Sequence, residues 1–108
     1  MNRNVRIYTI TGVGPEGSDR TRCFGYYLDV NEAIQDTVEN VCDINEAGYY
    51  PFVVIEGYSQ GIHAQAEGAC WFVFDPETDT YGPTEAPRGI AYLGETPDKI
   101  RVCNFALG

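Results

Sequence analysis

The sequence predicts an α+β fold. It describes a mainly antiparallel β-sheet of about five to six strands with one amphipathic helix on one face, in the order ββαβββ. Three observations predict it. Short stretches alternate apolar and polar residues with strand period, one long stretch carries helical period, and Gly, Pro and Asp clusters separate them. At 108 residues and 44% apolar composition the chain is a single domain with enough apolar surface for a core.

Val5–Thr11 alternates and predicts a first strand. Gly12–Asp19 is turn-rich, and Arg22–Leu28 is a second strand, so the two form a hairpin. Asp29–Ala47 predicts the helix, with Asp29 as N-cap, Glu32 three positions on, and Gly48 as its C-terminal glycine. Val30, Ala33, Ile34, Thr37, Val38, Val41, Cys42 and Ile44 supply the apolar face. Tyr50–Tyr58 is a strand with a buried middle, and Ser59–Gly68 is a polar loop. Ala69–Phe74 is a strand, Asp75–Asp79 a turn, and Thr80–Pro83 the returning strand. Glu85–Asp98 is irregular, and Ile100–Phe105 closes the sheet.

The charge distribution is uneven. Sixteen acids oppose seven bases, and Cys23 to Pro87 holds 12 acids with no Lys or Arg. A phosphate backbone or an anionic membrane needs a basic surface, so direct binding to either is disfavoured. A basic protein partner is favoured. The longest apolar run, Tyr49–Ile55, is interrupted by Pro51 and is far short of the ~18–20 residues of a membrane span. The N-terminus shows no apolar leader, which implies a cytoplasmic protein.

On the predicted helix Asp29, Glu32, Asp36, Glu39, Asp43 and Glu46 are spaced 3, 4, 3, 4 and 3. They would fall within about 100° of one side and extend about 26 Å. Five like-charged neighbour pairs cost roughly 1–2.5 kcal/mol in all before screening. The stripe has two readings, a solvated acidic face or a recognition surface that imitates a row of phosphates. Tyr26 and Tyr27 precede the helix and Tyr49 and Tyr50 follow it. Tyrosines are frequent interface anchors, which adds Tyr26 and Tyr49 to the candidate partner-binding set.

Other motifs carry less. Gly12-Val13-Gly14-Pro15-Glu16-Gly17 has dinucleotide-loop spacing, but a strand follows it where a helix is needed. Asp75-Pro76-Glu77-Thr78-Asp79 lacks the glycine and glutamate of a calcium loop. The four cysteines, Cys23, Cys42, Cys70 and Cys103, show no paired spacing and are expected to be small buried residues. His63 stands alone, so neither a metal site nor a catalytic pair is indicated, and no cofactor is expected. Trp71 is expected to pack in the core, with ligand stacking as the alternative. Glu56 is expected to reach solvent at a strand end, or else to be a buried polar group with a role.

Gly25-Tyr26-Tyr27, Asn31-Glu32-Ala33, Asn40, Asp43-Ile44, Tyr49-Tyr50, Val54-Ile55-Glu56, Trp71-Phe72, Asp75, Tyr81 and the ending Asn104-Phe105-Ala106-Leu107-Gly108 carry a resemblance in outline. The chain resembles short uncharacterised proteins of gut bacteria and their prophages or mobile elements. The resemblance implies no activity and no functional residues. It implies a setting in which small proteins inhibit host systems.

The leading expectation is a non-catalytic acidic protein that occupies the basic, nucleic-acid-binding surface of a host protein, as an anti-CRISPR or other anti-defence inhibitor does. The alternatives are a small-ligand or nucleotide-sequestering domain using Arg20, Arg22, Arg88 or Arg101 with Trp71, an enzyme using His63, and an acidic housekeeping domain.

Overall fold

The computed structural model describes residues 6–60, 66 and 68–87. The expected strand at 100–105, together with His63, Arg88, Arg101 and Cys103, lies outside the described residues. The elements are β1 (Arg6–Val13), β2 (Thr21–Tyr27), α1 (Val30–Val38), β3 (Phe52–Ser59), β4 (Ala69–Asp75) and β5 (Thr80–Thr84). The strands form one antiparallel sheet in the order β2-β1-β3-β4-β5. A small α+β fold with one helix against a five-stranded sheet is what the periodicities predicted.

The pairings explain the order. β1 and β2 are a hairpin, and the glycine-rich loop between them is closed by Gly14 N donating to Arg20 O at 2.8 Å. The segment from 28 to 51 carries the chain over β1, so β3 pairs on the far side of β1 through all eight of its residues. β4 and β5 then add in turn. Between Ile10 and Thr11 the register with β2 shifts, because Phe24 is an extra residue that bulges this margin of the sheet. At the other margin β5 contains Pro83, which has no amide hydrogen to donate.

Alternation sends the two faces to different environments. On the helix side Ile10, Val53, Ile55, Phe72 and Tyr81 form the core with Ala33 and Ile44. Val30, Ile34 and Val38 of α1 and Tyr8, Phe24, Tyr27 and Phe74 of the sheet surround it. On the other side Thr9, Thr11, Val13, Cys23, Val54, Glu56, Tyr58 and Trp71 are all buried. Glu56 is therefore not a solvent-reaching residue: it lies in the middle of this face at 0% exposure. Trp71 is buried as expected, and so is Cys23, but Cys42 and Cys70 are exposed.

The helix is the main departure from the sequence reading. Asp29 is its N-cap, accepting a hydrogen bond from Asn31 N at 2.8 Å, but the helix ends at Val38 and not near Ala47. Asn40 enters the left-handed region at φ 52°. Val41 N then donates to Asp36 O and Asn40 N to Thr37 O, the paired bonds of a Schellman stop. Asparagine is the residue most often found there after glycine.

From 40 to 49 the chain runs in successive turns. Asp43 N donates to Asn40 O, Glu46 N to Asp43 O, and Tyr49 N to Glu46 O. Asn40, Cys42, Asp43, Glu46, Ala47 and Gly48 all have positive φ. Gly48, which the sequence placed at a helix end, instead closes the last turn beside Ala47, with φ 97°.

Packing over the β1–β2 hairpin is tight where this segment lands. A Cβ on Gly12 would stand 2.6 Å from the Phe24 ring and 2.9 Å from Tyr50, and those rings already meet edge to face at 5.4 Å. Gly12→Ala is therefore expected to destabilise by about 1–3 kcal/mol, measured as a lowered urea midpoint at unchanged slope.

Candidate functional site

The candidate site is built on a buried knot of polar groups beneath the 40–50 segment. Asn45 is 4% exposed, and it uses all of its hydrogen-bonding groups. Its side-chain oxygen accepts from Gly48 N at 2.6 Å. Its amide nitrogen donates to Tyr50 O at 3.1 Å and reaches Tyr81 Oη at 3.5 Å. Its backbone N donates to Asn40 Oδ1 at 2.9 Å, and its carbonyl accepts from Tyr50 N. Tyr81, from β5, donates to Tyr50 O at 2.6 Å. Two separate stretches of chain, the 40–50 segment and β5, thus close on one another, and Ile44 enters the core beside them.

Two arginines hold the outer side of the segment. Arg20 lies over the Tyr49 ring at 3.7 Å and donates to Tyr49 O, and Arg22 pairs with Glu46 at 3.0 Å. At the far side Asn40 Nδ2 reaches Asp79 in the β4–β5 turn at 3.4 Å. That contact brings Asp79 beside the end of α1, an arrangement between residues 39 positions apart that no local pattern could reveal.

The six predicted acids divide between two elements. Asp29, Glu32 and Asp36 belong to α1 and its N-cap, and Glu39 is its C-cap. Asp43 and Glu46 leave the helical line and stand on the turn segment. Asp29, Glu32, Glu39 and Asp43 are exposed, and Asp36 and Glu46 are half-buried. Asp36 accepts from the Tyr27 hydroxyl, and Glu39 accepts from Gln35. The acids therefore make a patch of helix, turn and hairpin residues in place of a single straight row. No basic residue lies in the last turn of α1, where the helix dipole favours one.

The tyrosines separate. Tyr49 is 48% exposed and lies at the end of the acidic segment. Tyr26 is 56% exposed but pairs with Thr9, so it points to the face away from the helix and its acids. Tyr27, not Tyr26, shares the acidic side. Burial first, then the hydrogen bond to Asp36 and its charge, push the Tyr27 phenol up to about 12. Burial likewise pushes Tyr81 up to about 12, a rise that the Asn45 hydrogen bond opposes.

The polar row on the opposite face was the feature sequence reasoning underweighted. Glu56, Thr9 and Tyr58 lie there at 0–1% exposure, and Thr9 Oγ1 reaches Glu56 O at 3.5 Å. Among the described residues Thr11 Oγ1 and Trp71 Nε1 are buried and find no hydrogen-bond partner, at a cost of about 1–3 kcal/mol each. A glutamate inside Phe-Val-Val-Ile-Glu-Gly-Tyr was the available signal.

Among the described residues no group of three or more His, Cys, Asp or Glu side chains could hold a metal ion. No described helix is long and apolar enough to cross a membrane. Comparison with protein-family models, with curated proteins and with solved structures found no match for the chain.

Two predictions follow from the knot. Asn45→Ala removes the side-chain acceptor of Gly48 N and one of the two donors to Tyr50 O, and should destabilise by about 2–3 kcal/mol in urea titration. The phenols of Tyr27 and Tyr81 have folded values near 12, above the ordinary 10.0. Their contribution to stability is complete below pH 10 and is lost as pH rises through about 12. The urea midpoint should fall across that interval, and less steeply in Tyr27→Phe and Tyr81→Phe.

Proposed function

We propose that the protein is a non-catalytic binding protein whose acidic patch occupies the basic surface of a partner, the kind of surface that binds nucleic acid. One observation carries the reading. Acids from three parts of the chain (α1, the turn segment and the β4–β5 turn) gather about one end of the helix, and among the described residues the base that enters the patch is Arg22, paired with Glu46. The basic residues nearest to the segment, Arg20 and Arg22, are already engaged with Tyr49 and Glu46. Repulsion between the acids and the position of Glu39 at the negative end of the helix dipole work against stability, so the arrangement supports a use outside folding.

The partner chemistry follows from the patch. Carboxylates gathered on one surface answer lysines and arginines that otherwise hold phosphates. Tyr49 supplies an apolar contact at the rim, with Arg20 stacked behind it. Occupancy alone would inhibit whatever the partner surface does with nucleic acid.

Glu32, Glu39 and Asp43 are the acids to remove, because Asp29, Asp36 and Glu46 also cap the helix or bind Tyr27 and Arg22. The variant Glu32→Gln, Glu39→Gln, Asp43→Asn should be at least as stable as the parent. Immobilised parent protein should capture a nucleic-acid-binding protein at about 0.1 M salt and release it by about 0.5 M. Excess duplex DNA should displace that protein, and the triple variant should hold it at least about tenfold more weakly. Capture that is indifferent to both DNA and the triple substitution would refute the proposal.

A further inference from the structure

Residues 39–47 carry two incompatible instructions. Their sequence continues α1. Val41 and Ile44 extend the apolar stripe of Val30, Ile34 and Val38, and Glu39, Asp43 and Glu46 extend the acidic spacing of Glu32 and Asp36. Gly48 follows, already at the positive φ of 97° that a glycine adopts just past a helix end. The fold instead winds the segment into turns. Cys42, Asp43, Glu46 and Ala47 hold φ values of 58°, 55°, 51° and 57°, a region that disfavours residues with a Cβ. The turns also leave Val41 37% exposed, although it belongs to the apolar stripe. We propose that residues 39–47 are a two-state segment. In the free protein it is latched in turns, and when basic groups neutralise its acids it refolds as a continuation of α1.

The latch is the set of contacts that exists only in the turn form. Asn45 binds Gly48 N and Tyr50 O, the Tyr81 hydroxyl donates to Tyr50 O, and Arg22 holds Glu46. Burial of Ile44 and Tyr50 adds to them. Repulsion opposes the helical form as well. Along a longer α1 the acids at 32, 36, 39, 43 and 46 stand at i,i+3 and i,i+4 spacings, and the last two meet the negative end of the dipole. Lysines or arginines set along that row remove this second term. A basic partner therefore binds the helical form more tightly and shifts the population toward it. Helix through 47 lengthens α1 by about 13–14 Å and restores one straight acidic row. Gly48 to Pro51 remain as a connection that reaches about 14 Å. Only the trigger rests on the acidic surface being the one that meets a partner; the two forms do not.

Backbone chemical shifts of residues 41–47 in the intact, isotope-labelled protein separate the two forms, and far-ultraviolet circular dichroism reads the total helix. Tyr81→Phe cuts the latch without altering the segment's own sequence, and Asn45→Ala cuts it more deeply. With no ligand present, at least one of the two should move the 41–47 shifts toward helical values and raise the helical signal. In the parent, pentalysine at about 20 mM salt should produce the same change saturably, since screening is weak there. Ala47→Gly relieves the positive φ and disfavours helix. It should melt no lower than the parent and should need at least about tenfold more pentalysine for the same helical signal. The proposal is overturned if both latch variants keep turn shifts or give coil shifts over 41–47. It is overturned equally if pentalysine leaves the parent's helical signal unchanged, or if Ala47→Gly responds as the parent does. Helix in the latch variants and with pentalysine, alongside capture of a partner that ignores the acids, would sink the acidic reading and leave the two-state segment standing.

Discussion

The Asn45 side chain is the constraint from which the acidic half of the molecule takes its shape. It satisfies the backbone of the last turn at Gly48 and of the strand entrance at Tyr50. It also meets the hydroxyl of Tyr81, 36 residues away. A backbone with six left-handed residues between 40 and 48 has little local reason to exist, since several of them are neither Gly nor Asn. It persists because buried hydrogen bonds that water cannot replace are available in this one arrangement. Glu39, Asp43 and Tyr49 stand where they do because that arrangement fixes the chain beneath them.

Much of the fold was legible. Strand-period alternation located β1 through β5 to within two residues at every end, because each strand buries at least one face. The helix start was legible too, since Asp29 followed by an apolar period is a local signal. The helix end was not. Val41, Cys42 and Ile44 continue the apolar spacing past Val38, and Asn40 carries a weaker stop signal than a glycine would. What overrides the period is tertiary: Ile44 and Tyr50 gain burial from the turn conformation, and Tyr81 rewards it.

The candidate site was legible in its residue types and less so in its geometry. The acids were read as one straight line, which the stop at Asn40 divides. Asp79 could join them only through a contact across 39 residues. Tyr26 and Tyr27 differ by one position, and alternation gives them opposite faces, a distinction that needs the register with Thr9 and Tyr8. Glu56 shows the reverse case. Two residues before the expected strand end at Tyr58 it was expected to reach solvent, but the face it points to is covered and it is fully buried.

The two margins of the sheet bear on how any partner can be met. The bulge at Phe24 interrupts one outer strand, and Pro83 removes an amide from the other. Recognition by β-augmentation needs an unbroken ladder of outward amides and carbonyls. Among the described residues neither outer strand presents one over its full length, so a backbone-templated partner, including a second copy added strand to strand, finds poor purchase on β2 or β5. Recognition is left to side chains on the two faces, one acidic and solvated, the other burying Glu56 and Trp71 while leaving Tyr26 exposed.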